Sequence, residues 1–432
     1  MSKNNQNLVN FFREAAPYIH MHRGKTFVIA LSGEALGHAK VSETLSDIAV
    51  LSTLGARIIL VHGARPQIDQ QLAKSNHQAK IYNGLRITDK KTLEISKATI
   101  GAARLEIENY LNQALNRPPI VNSSLGIVSG NFLTAKPLGV IDGIDYLHTG
   151  VIRNINHELL NSLLDQGNIA LVSPLGYSPT GQMYNILYEE VAGHIATKLK
   201  ADKLIFLHSS SDLSRLPRHC NLEQLDKTLN NKQGTLLNQI SKTMHNGVER
   251  AHLINIESHG GLLLELYTRD GVGSMLSTKL YDEPRQANAD DINGIIELTK
   301  PLEAQGSLAK RTRAELELDI NAFSVIERDG LIIGCAALHP ADNKKTGELS
   351  CLAIHEHYRS GNRGLELVEY ISEKARQSEL ESIFVLTTQS TDWFRERGFK
   401  EQPPTDLPVE RQALYSSTRN SKVLFLETNV KK

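Results

Sequence analysis

Net charge is missing from this 432-residue chain, in which 48 Lys and Arg stand against 48 Asp and Glu. A balanced surface leaves no electrostatic footprint for nucleic acid or an anionic membrane, so the expected partners are small molecules. Cysteine is scarce. Cys220, Cys335 and Cys351 are far apart and form no CxxC pair, which argues against a disulfide framework. Two of them sit inside apolar runs, where Cys behaves as a small hydrophobe. No run approaches the roughly 20 apolar residues of a membrane helix, and the polar start lacks a secretory core, so the expected location is the cytoplasm. HExxH and GxSxG are also absent, which leaves metal and serine-hydrolase chemistry unsupported and no metal expected.

What is present is ordinary soluble composition, 40% hydrophobic and 22% charged, over a length suited to two or three domains. One stretch organises the rest. An apolar run from Gly347 to Ile354 reads as a strand, the basic segment Arg359-Ser360-Gly361-Asn362-Arg363-Gly364 as a loop, and apolar positions at Leu367, Val368, Ile371 and Ala375 as a helix. Backbone N–H groups at such a helix start suit a phosphate or pyrophosphate. A surface loop that uses glycine only for its turn explains the same residues.

Earlier in the chain, residues 8–23 read as helical, with Pro17 expected to kink or divide them; this arm could contact another subunit or pack on its own domain. Between residues 26 and 276, strands expected at 26–31, 57–62, 169–172, 203–208 and 252–256 alternate with helices near 45–54, 67–76, 90–116, 155–165, 188–200 and 261–267. That alternation predicts a mostly parallel sheet with helices on both faces and ligands at the carboxyl ends of the strands. Two strand ends carry polar, glycine-containing turns, at Ser32-Gly33-Glu34 and at His62-Gly63-Ala64-Arg65-Pro66.

With Gly84-Leu85-Arg86-Ile87-Thr88-Asp89, Val128-Ser129-Gly130-Asn131 and Asn185-Ile186-Leu187-Tyr188-Glu189, residues 25–280 resemble the amino-acid kinase family, especially acetylglutamate kinases. Departures from the family pattern are informative. Ala30 stands where such kinases place a lysine, Ala64 and Arg65 interrupt the glycine-rich loop, Gln239 replaces a second lysine, and Tyr188-Glu189 replaces Ala-Asp. Phosphoryl transfer depends on positive charge and positioning, so the resemblance implies a kinase fold without kinase activity. In arginine-sensitive acetylglutamate kinases, a segment like residues 265–273 and the N-terminal helix form an arginine site; the residues implied here are Tyr18, Glu265, Gly271 and Gly273. A carboxylate suits a guanidinium, although a solvated helix residue explains Glu265 as well.

Residues 281–286 are short, polar and proline-bearing, and read as a linker. Beyond them come a capped helix, a second helix after Arg311-Thr312-Arg313, a hairpin turning at Asp329-Gly330, the strand, loop and helix above, a strand at 382–387, and Trp393-Phe394 before Gly398-Phe399. This order resembles the GNAT acetyltransferases, whose acyl-CoA loop is R/Q-x-x-G-x-G/A. Asn362 takes the place of its first glycine, a change that Asn's access to positive φ would tolerate.

Taken together the chain resembles the bacterial N-acetylglutamate synthase family. The implied organisation is an arm over 1–24, a kinase-like αβα sandwich over 25–280 and a mixed α/β GNAT domain over 287–432. The implied reaction moves acetyl from acetyl-CoA, a co-substrate and not a resident cofactor, to the amine of L-glutamate, under feedback by L-arginine. By resemblance Glu348 is the base and Thr387 the acid. Leu352, Ala353, Ile354, Arg359, Ser360, Gly361, Asn362, Arg363 and Gly364 hold acetyl-CoA, and Arg311, Arg419 and Ser421 hold glutamate. The family implies a homo-oligomer, hexameric in many members. A GNAT enzyme for another amine, and an arginine-sensing regulatory protein, are the alternatives.

Overall fold

Alternate residues of the strand Thr26–Leu31 enter different cores. Phe27, Ile29 and Leu31 pack with Leu45 and Ile48, whereas Val28 and Ala30 pack with Val191 and Ile195. A strand buried on both faces needs helices on both, and the period of two sends each side chain to its own layer. The structure, a computed structural model, describes residues 3–116, 126–209, 213, 216–229, 235–278, 283–328, 330–341, 345–359, 362–415 and 420–428. It divides into two units, Met1–Leu280 and Tyr281–Lys432.

The first unit is built on an eight-stranded sheet in the order His219–Asn221, Ser274–Ser277, Arg250–Asn255, Lys203–His208, Thr26–Leu31, Arg57–His62, Ile169–Val172, Ile127–Ser129. The expected parallel pairing holds from Arg250–Asn255 to Ile127–Ser129, and Ser274–Ser277 runs antiparallel to Arg250–Asn255. A four-stranded sheet of Met183–Asn185, Leu175–Tyr177, Leu133–Pro137 and Gly150–Ile155 was not foreseen; its first two strands have three residues each, too few for period-two alternation to register. Pro17 does not divide the arm: one helix, Lys3–His22, runs through it. Proline removes a single hydrogen bond, and packing outweighs that loss, since Ala15 and Tyr18 are buried and His22 Nε2 lies 2.7 Å from the Leu266 carbonyl.

The second unit has a seven-stranded sheet in the order Pro284–Gln286, Phe323–Arg328, Leu331–Pro340, Thr346–Ile354, Ser382–Thr387, Lys422–Glu427, Lys400–Gln402. Residues 284–286, expected in a linker, are instead its edge strand. Proline is tolerated at an edge, and Arg285 pins the segment by donating to Asp291 and Glu327. One face packs on the helix Arg363–Gln377 through Leu338, Leu349, Leu367 and Ile371. The other packs on the helix Ile292–Ala304 through Ile295, Phe323, Val325 and Ala353.

Candidate functional site

The strand Thr346–Ile354 contains a bulge. Ser350 pairs with Ala337 and Ala353 with Cys335, so residues 350–353 span one residue more than their partners, and Cys351 takes up the excess at φ 54°. The extra residue switches side-chain parity: Leu349 joins one core and Ala353 the other. On its opposite edge the strand pairs in parallel with Ser382–Thr387 over residues 346–348 only, Glu348 opposite Phe384 being the last rung. Beyond that rung the two strands share no ladder. Leu352 and Ile354 therefore lie on a backbone edge open towards the second strand, where N–H groups can meet a ligand.

Glu348 stands at the mouth of this fork. Its side chain is 13% exposed, and its Oε1 accepts from Arg411 Nη2 at 2.6 Å. His339 is its cross-strand neighbour in register, and Ser350 follows on the same face. From there a polar chain runs on. Arg311 Nη2 donates to Ser350 Oγ at 3.2 Å, Ser350 Oγ lies 3.1 Å from His339 Nδ1, and His339 Nε2 lies 2.6 Å from Asp319 Oδ2. One proton placement satisfies every contact: the serine hydroxyl donates to Nδ1 and Nε2–H donates to Asp319. Arg311 also stacks over Phe323 at 5.3 Å, and its enclosed Nη1 has no hydrogen-bond acceptor among the described residues, the Asp319 carboxylate being 3.8 Å away. Glu348 and Arg311, foreseen separately, thus lie on one side of the strand, Arg311 held by Ser350 two residues along from Glu348. Arg411, His339, Asp319 and Ser350 were missed. Only His339 had a usable signal, its register opposite Glu348.

The anion loop is partly described; Ser360, Gly361 and Arg419 lie outside the described residues. Arg359 Nε donates to the Ile354 carbonyl at 3.3 Å, and Arg363 lies 5.5 Å over the Tyr358 ring. Asn362 caps the helix Arg363–Gln377 at φ −85°, so the positive φ invoked to excuse its departure from glycine is not used; a cap needs none. Gly364 is needed for another reason. A Cβ there would lie 2.9 Å from the Trp393 ring. Thr387 ends its strand with Oγ1 accepting from Ser390 N at 3.0 Å, which leaves its own proton to donate. Ser421 is 9% exposed beside the last long strand.

In the first unit the two polar turns meet at the carboxyl ends of their strands. A Cβ on Gly33 would lie 2.9 Å from Arg65 N, and one on Gly63 would lie 2.9 Å from the Tyr188 ring. Ala30 and Ala64 are buried, and Gln239 lies over Gly193. Beside Tyr188, burial pushes the Glu189 carboxyl up to about 7, with Arg65 opposing and Glu34 reinforcing the rise, and its Oε2 is enclosed without a partner among the described residues. Burial likewise pushes His62 down to about 4, with Nε2 2.9 Å from Ser173 Oγ.

Tyr18 is buried on the arm, whose His22 ring lies 5.6 Å from that of Tyr267, next to Glu265 in sequence but one. Glu265 is occupied from within: Oε1 meets His252, and Oε2 accepts from Val272 N and Gly273 N at 2.8 Å. Gly271, at φ 59°, leaves no room for a side chain against Glu265, and a Cβ on Gly273 would meet the Leu253 carbonyl. Among the described residues no group of three or more His, Cys, Asp or Glu could hold a metal, and no described helix is long and apolar enough to cross a membrane.

Comparison with known proteins assigns both units. The amino acid kinase family matches residues 25–224, and the acetyltransferase (GNAT) family matches residues 292–399. An amino-acid acetyltransferase of Photorhabdus laumondii is 42% identical over 99% of this chain and 98% of its own, and one of Yersinia pseudotuberculosis is 42% identical over 99% and 100%. The chain belongs to the amino-acid acetyltransferase family. N-acetylglutamate synthase from Neisseria gonorrhoeae, crystallised with coenzyme A and L-arginine, shares 35% identity and a TM-score of 0.85 over 97% of this chain and 99% of that one. The same synthase with coenzyme A and N-acetyl-glutamate gives 36% and 0.62 over 98% and 99%. As an amino-acid acetyltransferase the chain keeps, in its second unit, the strand fork and the helix start that acyl transfer from a thioester needs.

Proposed function

We propose that the protein transfers acetyl from acetyl-CoA to the α-amino group of L-glutamate, releasing CoA, and that L-arginine feeds back on the first unit. The observation that carries the reading is the placing of Glu348 on the last rung before the fork, two residues from a Ser350 that holds Arg311 with one enclosed donor unmatched among the described residues. A dicarboxylate substrate supplies the acceptor that donor lacks. Arg419 and Ser421 follow as further glutamate contacts.

In this mechanism the open edge at Leu352–Ile354 holds pantetheine and polarises the thioester carbonyl, while Arg359 and the helix start from Asn362 to Gly364 hold the pyrophosphate. Glu348 takes a proton from the substrate ammonium through a water, and the neutral amine attacks the carbonyl carbon. As the tetrahedral intermediate collapses, the C–S bond breaks and the nitrogen releases its second proton to solvent, leaving the amide. Thr387 donates to the departing thiolate and recovers its proton from solvent.

The first unit serves regulation in this reading. Buried Ala30, Gln239 on Gly193, and Tyr188 filling the space beside Gly63 support the loss of phosphoryl transfer. Tyr18 and the Glu265 loop offer the arginine site. Phe11 and Phe12, 42% and 66% exposed on the arm, support a subunit contact in a homo-oligomeric, hexameric ring in the cytoplasm.

Thiol release is measured with acetyl-CoA alone, with glutamate, and with other amino acids, each with and without arginine. Glutamate-dependent release that falls with arginine is expected. No release with glutamate overturns the transferase reading, and a rate indifferent to arginine overturns the regulatory one.

A further inference from the structure

Arg411 reaches Glu348 from far along the chain and from a weakly attached element. The helix Val409–Ala413 buries none of its own residues, and Val409 and Leu414 are 80% and 71% exposed. It is tied down from outside by Gln412 Nε2, which donates to the Thr405 and Leu407 carbonyls, each at 2.7 Å. Against this exposed background Arg411 turns inward: it is 34% exposed, it donates to Glu348 Oε1 at 2.6 Å, and its Nε is enclosed with no partner among the described residues. A surface ion pair contributes little and leaves both groups in water. This one encloses part of a guanidinium and spends its donor on a single carboxylate oxygen.

We propose that Arg411 is a positioning residue for the proposed general base. The inference rests on the transferase reading. Holding Oε1 fixes the carboxylate plane and presents Oε2 to the attacking amine or its bridging water, an orientation a freely rotating side chain would hold only part of the time. The other charged or titratable groups on this side are His339, across the strand from Glu348, and Arg311 and Asp319 beyond Ser350. Phe384, its partner on the other edge, is apolar.

The test compares the wild type, Arg411→Met and Arg411→Lys in thiol release across pH, with KM resolved for each substrate and folding checked by thermal melting. Arg411→Met should lower kcat about tenfold or more and leave the KM of acetyl-CoA within about twofold. Arg411→Lys keeps the charge and loses the fixed geometry, so kcat falls several-fold. It serves alone if the Met variant fails to fold. In a Glu348→Gln background, Arg411→Met should cost little more. An unchanged kcat, or full additivity on Glu348→Gln, overturns the proposal while the transferase reading stands. A wild type that releases no CoA with glutamate overturns the reading and this inference together.

Discussion

Glu265 and His252 form an enclosed pair in the first unit, with Oε1 2.7 Å from Nδ1 and the two side chains 5% and 4% exposed. Burial acts to raise Glu265, but contact with His252 and the Gly273 and Val272 N–H groups outweighs it and holds the carboxyl below its usual range. Burial, with help from Lys203, holds His252 below its ordinary 6.5, so the ring is neutral at pH 7 and Glu265 stays ionised. The loop proposed for arginine is therefore built around a carboxylate that already accepts three donors. Glu265 first of all shapes this loop.

Glu265→Gln replaces an acceptor-only group by one that carries its own N–H donors, which would face the donors of Val272 and Gly273. A loss of roughly 3 kcal/mol of stability is expected. Hydrogen exchange distinguishes this from general weakening: the amides of Val272 and Gly273 should lose protection first. The sign with pH follows from both partners. Each titrates lower in the folded chain than in the unfolded one, so the unfolded chain binds more protons and stability falls as pH drops below about 6.5.

Glu189 has the opposite sign. Its folded value of about 7 lies above the ordinary 4.5, so the folded state binds the proton more tightly, and stability declines as pH rises from about 4.5 to 7. Above that window the cost of the enclosed charge is on the order of 3 kcal/mol. Glu189→Gln should thus differ little from the wild type at pH 4.5 and gain in relative melting temperature as pH rises to 8. Melts of both proteins across that range provide the check, and a parallel pair of curves would count against it.

Tyr188 makes a separate prediction about the proposed loss of kinase chemistry. With its ring against Gly63, where a phosphate loop would need open backbone, ATP should not raise the melting temperature of the wild type. Tyr188→Ala should destabilise the unit by about 3 kcal/mol through the space it vacates. Because Ala30 and Gln239 still supply no lysine, it should not restore phosphoryl transfer from ATP to acetylglutamate, measured by ADP release.

These residues show which parts of the molecule a linear reading reaches. Buried strands such as Thr26–Leu31 and the strand–loop–helix around Arg359 are written as contiguous patterns, and the structure repeats them. The bulge at Cys351 was not legible, because one inserted residue inside an apolar run leaves the run apolar while moving every later side chain to the other face. Arg411 was not legible either. Its partner is 63 residues away, and a five-residue helix with exposed apolar positions carries no pattern. Resemblance supplied Glu348 and Arg311 individually, whereas their connection through Ser350 and His339 needed the register of two strands.

Trp393 is the only tryptophan in the chain, and its ring lies against Gly364 at the start of the proposed pyrophosphate-binding helix, with the Arg397 guanidinium 3.8 Å from the ring centroid. Its fluorescence should therefore report acetyl-CoA binding directly: titration with CoA should change the emission, and L-glutamate alone should change it less. Gly364→Ala adds a methyl where 2.9 Å is available, and the bulky ring must shift or the helix start must retreat. Either movement displaces the N–H groups that would hold the pyrophosphate. The expected result is a KM for acetyl-CoA raised about tenfold, equivalent to roughly 1.4 kcal/mol, with kcat little changed once the site is saturated. An unaltered CoA titration in the Gly364→Ala protein would move the pyrophosphate site away from this helix.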